Sequence, residues 1–227
     1  MTLTEIFIHF HKTFPCLPTS LYQNKPKVVR LETRPYADSW IHEARQGSQA
    51  AFGRLVKYWY PRIYNFAYKY FAEHDTAMDV TQQTFIAVHQ NLGTLQSVEQ
   101  FRSWLYRIAA NCCHQESRKQ QRTKMFPFTR WFASGNSDTP HDLWADEPDT
   151  EAEKTELAEY LLKALSQLPA EQRVVVIMKE YEGLKFREIA AALNVSENTV
   201  KSRMYYGLEN LRKTLEKWNI TKDKLCF

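Results

Sequence analysis

Apolar residues recur three or four positions apart over most of the chain from about residue 38 onward, which is the spacing of one face of an α-helix. Between residues 38 and 122 this pattern predicts several helices, and Pro61 is expected to break the first long one. The apolar positions are Ile41, Ala44, Phe52, Leu55, Val56, Trp59, Tyr60, Ile63, Phe66, Ala67, Tyr70, Val80, Phe85, Val88, Leu92, Phe101, Leu105, Ile108, Ala109 and Cys112. They predict one all-helical domain over 38–122.

A second periodic segment covers residues 153–218. A helix ending at Pro169 is predicted from four leucines that lie three or four residues apart, Leu157, Leu161, Leu165 and Leu168. Residues 170–181 predict another helix, which Gly183 ends because glycine readily adopts the left-handed backbone found there. The sequence carries no βαβ pattern and no glycine-rich phosphate loop. The fold class is therefore expected to be all-α, with two small helical domains joined by a flexible linker.

The segment 184–211 predicts two short helices joined by a tight turn at residues 194–196. Ser196 is a good N-cap for the second helix, whose buried stripe is expected to be Val200, Met204, Leu208 and Leu211. The opposite face carries polar residues and cations. This arrangement is typical of a helix-turn-helix, which places the start of its second helix against base edges in the major groove. A plain helical hairpin with a solvated face is the alternative.

The remaining segments lack a period. Residues 1–37 contain four prolines and predict a poorly ordered extension, or a misassigned translation start. Residues 123–152 predict a linker, and 219–227 a short tail. The linker is longer than an ordinary loop, so we expect it to be mobile or functional.

Charge changes sign along the chain more than its net value of +4 suggests. Between residues 102 and 130 seven cations accompany one acid, whereas between 138 and 159 nine acids accompany one lysine. Residues after 173 are basic again. This order indicates two nucleic-acid-binding parts separated by an anionic linker.

Cysteine spacing gives no sign of a disulfide framework or a metal centre. Cys112, Cys113 and His114 form one short run with too few ligands for zinc, so both cysteines are expected in a helical core. A reducing, cytoplasmic setting is the simplest interpretation. No apolar run is long enough to span a membrane, and the N-terminus is too polar for a secretory signal.

Three segments together resemble a known family. LSQLPAEQRVVVIMKEYEGLKFREIAAALNVSENTVKSRMYYGLENLR resembles the promoter-binding C-terminal domain of bacterial RNA polymerase sigma factors. DTAMDVTQQTFIAVHQNL resembles the sigma segment that docks on the polymerase clamp, and FRSWLYRIAANCCHQESRKQQR the segment that melts and reads the minus 10 element. Two domains in this order, with no folded domain between them, point to the extracytoplasmic-function (ECF) class.

The resemblance implies three sets of site residues. Polymerase binding is expected at Asp75, Asp79, Gln82, Gln83 and Thr84. Minus 10 recognition is expected at Arg102, Tyr106, Arg107, Asn111, Arg118, Lys119 and Arg122, with a base-capturing pocket in the loop 91–100. Minus 35 recognition is expected at Arg187, Ser196, Glu197, Thr199, Lys201, Ser202, Arg203 and Tyr206. Phe85 and Trp104 are expected in the core.

The chain departs from the usual family pattern at a few positions. Gln83 stands where a glutamate is common, and His89 where a tryptophan is common, so the docking surface is expected to be less acidic than usual. The acidic linker, by resemblance, would imitate nucleic acid in a channel of the polymerase; a solvated spacer is the alternative. A regulatory anti-sigma partner is also implied by the family alone.

Three classes of function follow. The leading one is a sigma factor without catalytic chemistry, cofactor or metal, which binds core RNA polymerase and promoter DNA. The first alternative is a helix-turn-helix regulator that acts on duplex DNA without polymerase. The second is a nucleic-acid enzyme, which the absence of a triad or metal cluster in the sequence disfavours.

Overall fold

The computed structural model describes residues 34–125, 151–218 and 220, and every regular element in these ranges is helical. The predicted N-terminal extension, nearly all of the linker and most of the tail lie outside the described residues. The helices are α1 (Arg34–Arg45), α2 (Gln49–Phe71), α3 (His74–Asn91), α4 (Phe101–Met125), α5 (Glu151–Gln167), α6 (Ala170–Val176), α7 (Phe186–Leu193) and α8 (Glu197–Lys217). In the described part, none of them is long and apolar enough to cross a membrane.

The expected break at Pro61 is wrong, because α2 runs through it as one helix of 23 residues. Ser48 caps the start of α2 by accepting a hydrogen bond from the Ala51 amide at 3.3 Å, and Ala72, with a φ of 55°, ends it. Proline removes one backbone hydrogen bond and costs roughly 3 kcal/mol inside a helix. Burial of Leu55 before it and of Ile63, Phe66 and Tyr70 after it offsets that cost, since each large apolar side chain contributes about 1.5–3 kcal/mol.

The N-terminal domain packs α1, α3 and α4 around α2. The Phe66 ring of α2 meets the Tyr106 ring of α4 edge to face, with centroids 5.5 Å apart. Val80, Val88 and Leu105 are completely buried between α3 and its neighbours. The helical periodicity therefore predicted this core correctly. The loop before α4 contains two short 3₁₀ turns, Leu92–Thr94 and Val98–Gln100.

The C-terminal domain is built from α5 to α8. Leu161, Leu165 and Leu168 are buried as predicted, while the side chain of Leu157 is outside the described set. Helix α6 continues into a π-helical turn, Ile177–Tyr181, and Gly183 ends this segment with a φ of +64°. At Gly207 of α8 a Cβ atom would lie 2.9 Å from Val176 Cγ2, so the glycine permits close packing of α8 on α6.

The two domains pack directly on each other. Helix α4 contacts α7, and α2 contacts both α5 and the π-helical turn. The buried side chains of both domains consequently form one continuous apolar core. This packing decides the surroundings of several residues that the sequence assigned to DNA.

Candidate nucleic-acid interface

The second helix of the predicted helix-turn-helix, α8, has the N-cap and the buried stripe that the sequence predicted. Asn194 adopts a left-handed conformation (φ 54°) after α7, and the Ser196 hydroxyl accepts a hydrogen bond from the Thr199 amide at 3.1 Å. Val200, Met204, Leu208 and Leu211 are buried. The start of α8 is consequently fixed in direction, with its polar residues outside the core.

The predicted minus 35 residues differ in how accessible they are. Exposed residues are Arg187, Ser196, Glu197, Ser202 and Tyr206, whereas Thr199, Lys201 and Arg203 are partly buried. The Arg203 guanidinium forms an ion pair with the Glu171 carboxylate of α6 at 2.7 Å, and 25% of its side chain is exposed. Arg203 must leave this pair before it can contact DNA, so its base-reading role stays a prediction.

The face of α4 that carries the predicted minus 10 residues is divided along the helix. Asn111, Arg118 and Arg122 are exposed, and their spacing of seven and four residues places them on one side of α4. We call these three residues the α4 strip. Lys119 is exposed beside it and pairs with Glu116 at 3.2 Å. Two guanidinium groups and one amide in a line can contact successive phosphates and a base.

The N-terminal part of α4 contacts the C-terminal domain through polar side chains, although Arg107 remains exposed. Arg107 donates hydrogen bonds to the carbonyl oxygens of Ala191 and Ala192, at 2.5 and 3.2 Å, near the end of α7. Arg102 donates to the Glu182 carbonyl oxygen, and the Tyr106 hydroxyl donates to the Glu182 carboxylate. Three of the seven predicted minus 10 residues thus bind protein in this conformation.

The expectation that Trp104 lies in the core and that Tyr106 contacts the minus 10 element is wrong in this structure. Tyr106 is completely buried, because its ring packs on Phe66 and its hydroxyl reaches Glu182 across the domain contact. Trp104 is partly buried at the surface of the core, with its ring 5.9 Å from that of Phe101. Helical spacing placed the two residues on different faces but did not reveal which face meets the other domain.

Glu182 is the centre of the polar contacts between the domains. Burial raises the pKa of its carboxyl, while the hydrogen bond from Tyr106 and the nearby charges of Lys69, Arg102 and Arg62 oppose that rise. Burial lowers the pKa of Lys69, and the Glu182 charge partly restores it. A carboxyl group among several cations suggests a structural contact. Local sequence patterns do not reveal this role, because the groups that surround Glu182 come from helices distant from it in the chain.

The loop before α4 is anchored by apolar residues at both sides of its first turn. Leu92 and Leu95 are 4% and 2% exposed. Ser97 donates a hydrogen bond to the Glu99 carboxylate, which lowers the pKa of that carboxyl. The two buried leucines therefore fix the loop to the core and leave only a short polar part. The base-capturing role of the loop stays a prediction.

The exposed face of α3 carries the predicted polymerase-binding residues, with one correction. Asp75, Asp79, Gln82 and Gln83 are exposed. Thr84 is completely buried, and its hydroxyl donates to the Val80 carbonyl oxygen at 2.7 Å, so it cannot form part of an exposed surface. Phe85 is 7% exposed and belongs to the core, as predicted.

Two apolar residues on the same face of α3 were missed from the sequence. Met78 is 52% exposed and Ile86 is 51% exposed. They lie eight residues apart, among the exposed acids and amides. Their positions outside the buried stripe of α3 were the available signal. We call the exposed residues Asp75, Met78, Asp79, Gln82, Gln83 and Ile86 the α3 face.

Cys112 and Cys113 lie in the core, as the sequence predicted. Cys112 is 7% exposed and Cys113 is completely buried, and burial raises the pKa of both thiols. Within residues 34–125, 151–218 and 220, no group of histidine, cysteine and acidic side chains could hold a metal ion.

Comparisons with known proteins agree with this geometry. The Sigma-70 region 2 family matches residues 55–123, which contain α3 and most of α4, and the Sigma-70 region 4 family matches residues 158–211, which contain α7 and most of α8. The chain is 31% identical over 172 residues to the ECF RNA polymerase sigma factor SigE of Mycolicibacterium smegmatis, covering 76% of this chain and 64% of that protein.

Two further comparisons extend the agreement. RNA polymerase sigma factor CarQ of Myxococcus xanthus is 30% identical over 171 residues, which cover 75% of this chain and 92% of CarQ. The fold resembles that of the sigma factor RpoE in its complex with the anti-sigma factor NepR from Bartonella quintana. The TM-score is 0.54 at 22% identity, and the match covers 73% of this chain and 96% of RpoE. The chain therefore belongs to the ECF subfamily of RNA polymerase sigma factors, and it directs promoter-specific initiation of transcription by core RNA polymerase.

Proposed function

We propose that this sigma factor divides its work among three helices: the α3 face binds the polymerase clamp, the α4 strip contacts the melted minus 10 strand, and the start of α8 reads the minus 35 element. The observation that carries the proposal is the α4 strip, where an amide and two guanidinium groups lie exposed on one side of a rigid helix. The protein acts in the cytoplasm and catalyses no reaction itself.

The α3 face combines charge with apolar anchors. Asp75 and Asp79 would pair with basic groups of the clamp, while Met78 and Ile86 would be buried against it. Exposed apolar residues inside a polar rim are the usual composition of a binding surface. An anti-sigma factor that covers the α3 face would compete with polymerase, as the family implies.

The α4 strip suits a single strand better than a duplex. Arg118 and Arg122 would hold phosphates, which fix position but not sequence, and Asn111 would hydrogen-bond a base that has left the stack. At α8, Glu197 can accept a hydrogen bond from cytosine, and Lys201 and Ser202 can donate to base or phosphate. Two weak contacts joined in one chain then select promoters by sequence and by spacing.

Run-off transcription with core polymerase on a promoter library tests the proposal. Asn111→Ala is expected to slow promoter opening while leaving duplex binding nearly unchanged, because the amide is used only after melting. Gln121→Ala, an exposed amide on the same helix outside the strip, is the matched control. Equal opening rates for Asn111→Ala and Gln121→Ala would refute the role of the strip. A purified chain that never binds core polymerase would favour the duplex-binding regulator.

A further inference from the structure

Three polar side chains meet at the junction of α2, α4 and α6, away from the surfaces assigned to polymerase and DNA. Tyr70 of α2 is completely buried. Its hydroxyl, the Nε2 atom of His114 on α4 and the Nε atom of Arg173 on α6 are all shielded from solvent, and none of the three has a hydrogen-bond partner among the described residues. Buried polar atoms are nearly always hydrogen-bonded, because desolvation without a partner is costly. We call these three residues the Tyr70 cluster.

Direct contacts hold the Tyr70 cluster together. The centroids of the Tyr70 and His114 rings are 6.1 Å apart, and the Arg173 guanidinium lies 4.8 Å from the centroid of the Tyr70 ring. One terminal nitrogen of Arg173 donates to the Tyr70 carbonyl oxygen at 2.9 Å, and the other donates to the carbonyl oxygens of Ser166 and Leu168. The terminal nitrogens of Arg173 are therefore engaged, which leaves its Nε–H as the free donor.

All three atoms without partners can donate a hydrogen bond. Burial raises the pKa of Tyr70 to about 12, although the charge of Arg173 acts in the opposite direction, so the hydroxyl keeps its proton. A guanidinium always carries its Nε–H, and the Nε2 atom of His114 donates in one neutral tautomer and in the protonated form. The missing partner must consequently be an acceptor.

The surroundings carry more positive than negative charge. Burial lowers the pKa of His114, and the charges of Arg118, Arg203 and Arg173 lower it further, whereas Glu171 is the one acid that raises it. That carboxylate is already paired with Arg203 at 2.7 Å. A positive local field favours an anion over a neutral acceptor or a cation.

The geometry points to a small-anion site in the Tyr70 cluster, which would take chloride or a monoatomic ion of similar size. One anion can accept from all three donors, whereas a water molecule would bring two donors of its own into a cluster that already consists of donors. Cys113 and Val174, next in the chain to His114 and Arg173, are completely buried, and this close packing favours a single atom over a phosphate. The anion would join α2 and α4 to α6, so chloride would stabilise the folded protein.

Thermal unfolding of the full chain, without nucleic acid, tests the site. Sodium chloride replaces sodium gluconate at constant ionic strength, so that general screening of surface charges does not change. The parent Tm is expected to rise with a saturating dependence on chloride, by about 4 °C once chloride exceeds its dissociation constant about tenfold. Tyr70→Phe removes only the hydroxyl and should lose most of this rise.

Tyr160→Phe is the matched control. It removes a hydroxyl from a partly exposed ring of α5 that lies 6.2 Å from the Trp218 ring, so it should keep the rise of the parent. His114→Leu removes a different donor of the cluster and should also lose most of the rise. It tests the site through a second position if Tyr70→Phe folds poorly.

Diffraction from crystals grown in bromide locates the ion independently, because bromide scatters anomalously and resembles chloride. We expect an anomalous peak within hydrogen-bond distance of the Tyr70 hydroxyl, the His114 Nε2 atom and the Arg173 Nε atom. Ordinary density without an anomalous signal there would assign the position to water and overturn the proposal. A peak without a chloride-dependent Tm would show an adventitious ion only, and an equal rise in Tyr70→Phe and Tyr160→Phe would likewise refute the site.

Discussion

Helices α4 and α8 are both assigned to promoter DNA, yet the first turns of the two helices are held in place by different contacts. The start of α8 is stabilised within its own domain, through the Ser196 cap and the ion pair between Arg203 and Glu171. The start of α4 is instead bound by the other domain, through Glu182, Ala191 and Ala192. The difference teaches that one helix can have its direction set inside its own domain, while the other is positioned at one end by a neighbouring domain and leaves the α4 strip exposed at the other end.

The largest expected effect concerns the core that supports both helices. Ile189 of α7 is completely buried, and Ile189→Ala is expected to lower the free energy of unfolding by about 2–5 kcal/mol, since it removes buried methyl groups and leaves a cavity. Thermal unfolding followed by circular dichroism measures this loss.

The same substitution at an exposed site is the control. Ile86→Ala on α3 removes equal atoms from a side chain that is 51% exposed, so stability should change by less than about 0.5 kcal/mol. It should, however, weaken binding to core polymerase. Equal losses of stability at the two sites would mean that the core assigned to α7 is wrong.

A second prediction separates residues within α8. Lys201→Ala is expected to reduce discrimination at one position of the minus 35 element by about 1–3 kcal/mol. Arg203→Ala should cost less, because Arg203 must first give up its pair with Glu171. Competition binding with duplexes changed at single positions measures both. A larger effect from Arg203→Ala would show that the ion pair opens readily on DNA.

A third prediction compares two arginines of α4. Arg122→Ala should weaken strand binding nearly equally for every sequence and reduce the slope of log affinity against log salt by about 1, because one phosphate contact is lost. Arg107→Ala should weaken it less, because the Arg107 guanidinium already donates to the carbonyl oxygens of Ala191 and Ala192 and must give up these bonds to pair with a phosphate. Identical losses at the two positions in salt titrations would remove the distinction between the two halves of α4.

The smallest effect is a pH dependence of stability. The pKa of the Glu182 carboxyl is raised in the folded protein because the group is buried. Protonation therefore favours the folded state, and the free energy of unfolding should decrease as pH rises from the ordinary range of a glutamate through the raised pKa. Denaturant unfolding at a series of pH values should show this decrease in the parent and not in Glu182→Gln. An equal decrease in the variant would assign the dependence to another group.

Several features follow from local chemistry and were predictable without a structure. Period and capping determined the existence of the helices, the helix-turn-helix and the buried cysteines, because each depends on residues within a few positions of one another. The predicted helix break at Pro61 was wrong because of tertiary packing. The free energy gained by burying apolar side chains on both sides of the proline exceeds the cost of one missing hydrogen bond. The prediction that Thr84 belongs to the polymerase-binding surface was wrong, because helical spacing alone does not show where a buried stripe ends.

The sequence by itself determined an all-helical sigma factor of two domains and the residue types that its helices offer to DNA and polymerase. Only the tertiary structure decided which of those residues face solvent and which face the other domain. The contacts of Arg102, Tyr106 and Arg107 join residues about 75 to 85 positions apart, as the pairs with Glu182 and Ala191 show. No local pattern records such a pairing, because its energy depends on burial and on charges that meet only after both domains have folded.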